Sequence, residues 1–189
     1  MPKNRDAATK LFEIAESQQG YFTYQQALKA GYYRKAANFY AKTGEWIRVK
    51  RGIYQLAKFP LADRPDLVLW SLWSADRKGN IQCVFSHQTA LSIYEITDAN
   101  PARLHMTVPP SFRKHNPIPS GIVLHRARIE KSEISRRQGY FLTTPQKTLK
   151  DMRAAQLMDE RELQFAAKQA VGRGIMTPSE ADIFFPKPK

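Results

Sequence analysis

The side chains best placed to do chemistry in this chain are cations. Between Gly31 and Leu56 the sequence reads GYYRKAANFYAKTGEWIRVKRGIYQL, and with Lys29 and Lys58 on its flanks it carries eight Lys or Arg against one acid, Glu45. On a helix turning about 100° per residue, Arg34, Lys35, Asn38 and Lys42 share one arc, with Phe39 at its edge. Ala36, Ala37, Tyr40 and Ala41 take the opposite arc, with Tyr33 beside them, and must pack inward. Arg48 and Lys50 then alternate along a strand, and Arg51 opens the turn that follows it. Such a set recognises a polyanion. Arg34 has the geometry for a bidentate pair with a guanine edge and Asn38 for one with adenine. Lys35 and Lys42 suit phosphates, while Arg48, Lys50 and Arg51, with the Tyr54 hydroxyl, suit the backbone beside a groove. A solvated helix face and a strand edge guarded by cations use the same residue types, so these readings stand beside the first.

The elements that must position these groups follow from spacing. Residues 5–17 repeat Ala8, Leu11, Phe12 and Ala15 at helical spacing and end at Gln18-Gln19-Gly20. Tyr21-Phe22 is short and extended. Thr23 is a good N-cap for YQQALKA, with Gly31 as its stop. A second short helix is expected from Tyr33 to Lys42, closed by Gly44. Trp46-Ile47-Arg48-Val49-Lys50 alternates apolar and basic, the mark of a half-buried strand, with Ile47 and Val49 expected to face inward. Gly52 turns the chain, and Ile53 to Leu56 returns. Two short helices followed by a basic hairpin make a winged helix-turn-helix, whose second helix enters the major groove while the hairpin holds the backbone.

Lys58 to Pro65 contains two prolines and marks a boundary, giving expected domains at 1–60 and 61–189. Pro65 opens a helix at its first position, and the Trp70 and Trp73 stripe on it is expected in the core. Strands are expected at Cys83–Phe85, Leu104–Val108, Ile122–Arg128 and Phe141–Thr143. The helices HQTALSIYEI (capped by Ser86), PQKTLKDMRAA and ELQFAAKQAV accompany them, with a small last helix after Thr177-Pro178. The order predicts an α+β domain on a small mixed sheet with flanking helices. Its basic pairs, Arg113-Lys114, Arg126 with Arg128, and Arg136-Arg137, suit a second DNA contact, a protein-facing surface or plain solvation equally.

The chain has 189 residues, a net charge of +13 and a pI near 10, which favours a polyanionic partner. No run approaches the length of a membrane span, no apolar signal core opens the chain, and a single cysteine, Cys83, forms no internal disulfide framework. The cytoplasm is the expected compartment, with no membrane partner.

Enzyme readings fare worse. Pro65-Asp66 with Asp76-Arg77-Lys78 resembles the carboxylate pattern of metal-dependent nucleases, but a helix between them separates the two acids by about 15 Å at 1.5 Å per residue. His87, His105, His115 and His125 form no i, i+4 pair, and Cys83 with His87 lacks further ligands. Ser86 lacks the flanking glycines of a hydrolase elbow. The expectation is a chain that is not an enzyme and needs no cofactor and no metal.

The segment GYFTYQQALKAGYYRKA…GEWIRVKRGIYQL, followed by VFSHQTALSIYEITDANPARLHMTVP, GIVLHRARI and LTTPQKTLKDM, resembles the AbiEi family of antitoxins from type IV toxin–antitoxin systems. The resemblance implies a DNA-binding repressor that silences its own operon at inverted repeats in the promoter. It also implies a C-terminal antitoxin domain that counteracts a nucleotidyltransferase toxin without a stable complex. The chain departs from the family pattern at Tyr33, where many relatives carry a small polar residue. A stand-alone winged-helix regulator without a toxin, and a DNA-targeted metal-dependent nuclease, are the rival readings.

Overall fold

The structure is a computed structural model that describes residues 2–61, 63–114 and 117–185. It is α+β. Residues to Gln82, with Arg137–Tyr140, form one compact unit; Cys83–Arg136 and the chain from Phe141 onward form the other.

The first unit runs α1 (Pro2–Glu16), β1 (Tyr21–Thr23), α2 (Tyr24–Ala30), α3 (Ala36–Lys42), β2 (Trp46–Lys50), β3 (Ile53–Leu56) and α4 (Pro65–Ser74). This is a winged helix-turn-helix. Its three strands form an antiparallel sheet in the order β1-β3-β2, so β2 is an edge. Local chemistry sets several boundaries. The Thr23 hydroxyl accepts from the Gln26 backbone N–H while the Gln26 side chain accepts from that of Thr23, which satisfies two orphan donors at the start of α2. Gly31 ends that helix in the left-handed region at φ 109°. Gly52 turns the β2–β3 hairpin at φ 75°, a value that carries little strain only without a Cβ.

The core of this unit gathers Leu11 and Ala15 of α1, Phe22, Ala27 and Ala30, Ala36 and Ala37 of α3, Trp46 and Tyr54. The buried stripe of α1 is Ala7, Leu11 and Ala15, not the expected Ala8 and Phe12, which lie exposed. Phe12 instead approaches Phe59 at a ring separation of 6.1 Å. The buried side of α4 is Leu67, Val68, Ser71 and Leu72, and the Trp70 and Trp73 pair expected in the core is only half-buried, edge to face at 5.6 Å. Because α4 packs on β1 and β3, it clusters with the first unit, although the prolines before it suggested the start of the second.

The second unit contains β4 (Val84–Phe85), α5 (His87–Tyr94), β5 (Leu104–Val108), β6 (Ile122–Arg126), β7 (Ile134–Arg137) and β8 (Tyr140–Thr143) apart from their end residues Arg137 and Tyr140, α6 (Pro145–Ala154), α7 (Glu160–Gly172) and α8 (Pro178–Ala181). The sheet order is β6-β5-β4-β8-β7. It is mixed, since β5 runs parallel to β6 and β4 to β8, while β4 and β5 are antiparallel. Phe85, Met106 and Leu142 of the sheet are buried, as are Leu91 of α5, Leu149 and Met152 of α6, and Leu163, Ala166 and Ala170 of α7. The Thr144 side chain caps α6 and that of Asp159 caps α7. Strand β7 was not expected from sequence, and β6 stops at Arg126, two residues earlier than the pattern suggested.

Candidate nucleic-acid interface

The helix that follows the turn is shorter than its sequence pattern. It begins at Ala36, and Arg34 and Lys35 lie in the turn that leads into it. That turn is fixed from both sides: the Ala36 N–H donates to the Tyr33 carbonyl at 2.9 Å, and the Tyr24 hydroxyl donates to the Arg34 carbonyl at 2.9 Å. Ala36 and Ala37 enter the core, as the wheel requires, so the other face of α3 must look outward. Arg34, Lys35, Asn38 and Lys42 are all exposed there. Tyr33, expected to pack, is 57% exposed, because it precedes the helix and the wheel does not apply to it.

The wing departs from expectation in a consistent way. Trp46, not Ile47, takes the inward side of β2. It is 3% exposed and its ring lies 4.8 Å from Phe22, 5.0 Å from Tyr32, 5.0 Å from Tyr40 and 5.9 Å from Tyr54. Successive strand residues face opposite ways, so placing the largest ring inside turns Ile47 and Val49 outward, and both are exposed. An irregularity in the β2–β3 register between Arg48 and Lys50 then re-aims the end of the strand. Arg48 and Arg51 remain exposed. Lys50 is half-buried with its ammonium 4.7 Å above the Trp70 ring, a cation–π contact that holds it against the protein. Tyr54, expected to meet a phosphate, is 7% exposed and belongs to the core, stacked 6.0 Å from Phe22. Of the eight candidates, then, Arg34, Lys35, Asn38, Lys42, Arg48 and Arg51 form the exposed set.

Four side chains of the basic pairs, Arg113, Lys114, Arg126 and Arg136, make contacts within the second unit. Arg126 donates to the Phe112 carbonyl at 2.9 Å and the Pro110 carbonyl at 3.2 Å, and Arg113 reaches the same two carbonyls at 2.9 and 3.1 Å. Lys114 lies 5.7 Å above the Phe112 ring and Arg136 5.5 Å above the Phe141 ring. The two carboxylates of the nuclease-like pattern are likewise engaged separately. Asp66 pairs with Arg64 at 3.0 Å. Asp76 accepts from the backbone of Lys78 and Asn80 and from the Asn80 side chain, and those bonds hold its pKa below the usual carboxylate value.

Three histidines that the sequence left scattered meet inside the second unit; His115 lies outside the described residues. The His87 and His125 rings stack at 3.6 Å, and His105 Nδ1 lies 3.1 Å from His125 Nε2. The Ser86 hydroxyl bonds His87 Nδ1 at 2.9 Å and the Thr107 hydroxyl at 2.8 Å. It therefore does not cap α5, although it occupies the N-cap position. His87 itself adopts φ 51°. Among the described residues no group of three or more His, Cys, Asp or Glu is arranged to hold a metal ion. Burial lowers the pKa of all three rings, reinforced by the neighbouring imidazoles at His87 and His105, by Lys147 at His87 and by Arg103 at His105. At His125 the Asp151 carboxylate opposes that shift. His87 falls from 6.5 to about 3. Because the folded state resists protons that the unfolded chain accepts, this contribution to stability is complete above pH 6.5 and is lost as pH falls toward 3. The melting temperature of the second unit should therefore decline between pH 6.5 and pH 5, before the carboxylates titrate, and His87→Gln should flatten that decline.

The first unit thus has the form of a winged-helix DNA-binding regulator, with a cationic helix face and a cationic wing. Residues 10–57 match the family described as "Transcriptional regulator, AbiEi antitoxin", so the likeness covers the winged-helix segment of the first unit. No curated protein matches the chain. Among solved structures, the RV2827C protein from Mycobacterium tuberculosis overlays with a TM-score of 0.47 at 13% identity, covering 94% of this chain and 80% of that one. No helix among the described residues is long and apolar enough to cross a membrane.

Proposed function

We propose that the protein is a cytoplasmic antitoxin of a type IV toxin–antitoxin system that also represses its own operon. The observation that carries the reading is the exposed cationic face formed by the α3 turn and the wing, within the segment that matches AbiEi regulators. Arg34 and Asn38 read base edges in the major groove, Lys35 and Lys42 touch the flanking phosphates, and Arg48 with Arg51 hold the backbone on the other side. Repression is by occupancy of inverted repeats in the promoter. The second unit antagonises a nucleotidyltransferase toxin without forming a stable complex with it. The chain carries out no catalysis of its own and uses no cofactor.

A reporter fused to the protein's own upstream region tests the first half. The wild type silences it, and Arg34→Ala with Asn38→Ala restores expression, because each bidentate pair with a base is worth about 1–3 kcal/mol, or roughly 5- to 150-fold in affinity. Unchanged silencing by the double variant would remove α3 from the operator. Co-expression with a nucleotidyltransferase toxin tests the second half: residues 83–189 in the full chain are required for growth rescue, whereas the Arg34 and Asn38 pair is not.

A further inference from the structure

One exposed side chain on the cationic face of α3 is apolar. Phe39 is 52% exposed in the middle of α3. On the helical wheel it lies within about 40° of Lys35 and about 60° of Lys42. An apolar ring therefore sits among the groups assigned to phosphates. Its position is not loose. The ring meets Tyr40 edge to face at 5.2 Å, and Tyr40 stacks on the buried Trp46 at 5.0 Å. One side of Phe39 is thus tied to the core while the other looks outward.

We propose that Phe39 reads thymine, receiving the C5-methyl group of one thymine in each half-site. This rests on the DNA-binding reading and extends it to a base. The thymine methyl is the apolar feature that the major groove presents to a side chain, since the other groups at the base edges are hydrogen-bond donors or acceptors. Phosphates offer an aromatic ring nothing comparable. A second copy of the chain is the poorer occupant, because docking this face on itself sets Lys35 and Lys42 against their own like charges. Anchoring through Tyr40 also means that the ring gives up little freedom on binding, which favours a fixed contact over a wandering one.

The test begins with selection of tight duplexes from a randomised library by the wild-type protein. Each thymine of the selected duplex is then replaced by uracil, which removes only the methyl group. Wild type should lose about fourfold in affinity at one thymine per half-site, the worth of one buried methyl-sized group. Phe39→Ala should bind the thymine duplex more weakly and show no further loss with uracil there. Phe39→Leu, which keeps an apolar surface, should retain part of the discrimination, and both variants should keep the wild-type salt dependence and melting temperature. The proposal is overturned if wild type is indifferent to uracil at every thymine, or if Phe39→Ala discriminates as wild type does. It is also overturned if the Phe39→Ala defect is one of self-association alone. Selection of no duplex at all would instead overturn the DNA-binding reading beneath it.

Discussion

Replacing Lys35, Lys42, Arg48 and Arg51 together by Ala should reduce the slope of log K against log salt by roughly 3.6, at about 0.9 for each phosphate of B-form DNA left without its cation. At about 0.1 M salt that corresponds to roughly three or four powers of ten in affinity. The four side chains are exposed, so the variant should fold normally, with stability changes inside about 0.5 kcal/mol for each site. The same experiment on Lys50 alone should move the slope less than any of the four, because its ammonium is held over Trp70. Anisotropy titrations of a labelled duplex between low and moderate salt measure both. A slope that survives the fourfold replacement would mean that other cations of this basic chain hold the DNA backbone.

The second large effect concerns the scaffold. Trp46→Ala should destabilise the first unit by about 3–5 kcal/mol, the usual range for deleting a large buried aromatic, out of a total on the order of 5–15. The reason is its position. Trp46 touches the rings of Phe22, Tyr32, Tyr40 and Tyr54, and so joins the wing to α3 and to β1. Its removal should loosen the helix and hairpin together and abolish DNA binding with the fold. Ile47→Ala is the matched control. Ile47 is 49% exposed, so its truncation should cost under about 0.5 kcal/mol. Denaturant unfolding followed by far-ultraviolet circular dichroism separates the two. Equal effects at the two positions would contradict the strand orientation described above.

That orientation marks the limit of what the sequence discloses. The capped start of α2, its stop at Gly31, and Pro65 and Pro145 opening α4 and α6 are all set by contacts between near neighbours, and each was legible. The alternation in Trp46–Lys50 was legible too, but its phase was not. Period two fixes which residues share a face; only the aromatic neighbours supplied by β1, α2, α3 and β3 decide which face is inside. The same reasoning moves Tyr54 from the interface to the core, and an approach across the fold by α4 engages Lys50. The wheel for α3 divided Ala36 and Ala37 from Asn38 and Lys42 correctly, and failed at Tyr33 because the helix starts three residues later. Strand β7 reads Ile-Ser-Arg-Arg, with no alternation to announce it, and depends on its place beside β8. The histidine cluster needed the parallel pairing of β5 and β6, which sets His105 against Val123 and brings His125 alongside; no local spacing carries that.

The central claim is that α3 and the wing recognise a specific duplex. Its most direct measurement is the affinity of the purified protein for the duplex from its own upstream region against an unrelated duplex of equal length, at physiological salt. The account predicts a preference of about 10³-fold or more for the former, reduced strongly by Arg34→Ala with Asn38→Ala. Equal affinity for the two duplexes, or a preference untouched by that pair of substitutions, would contradict it.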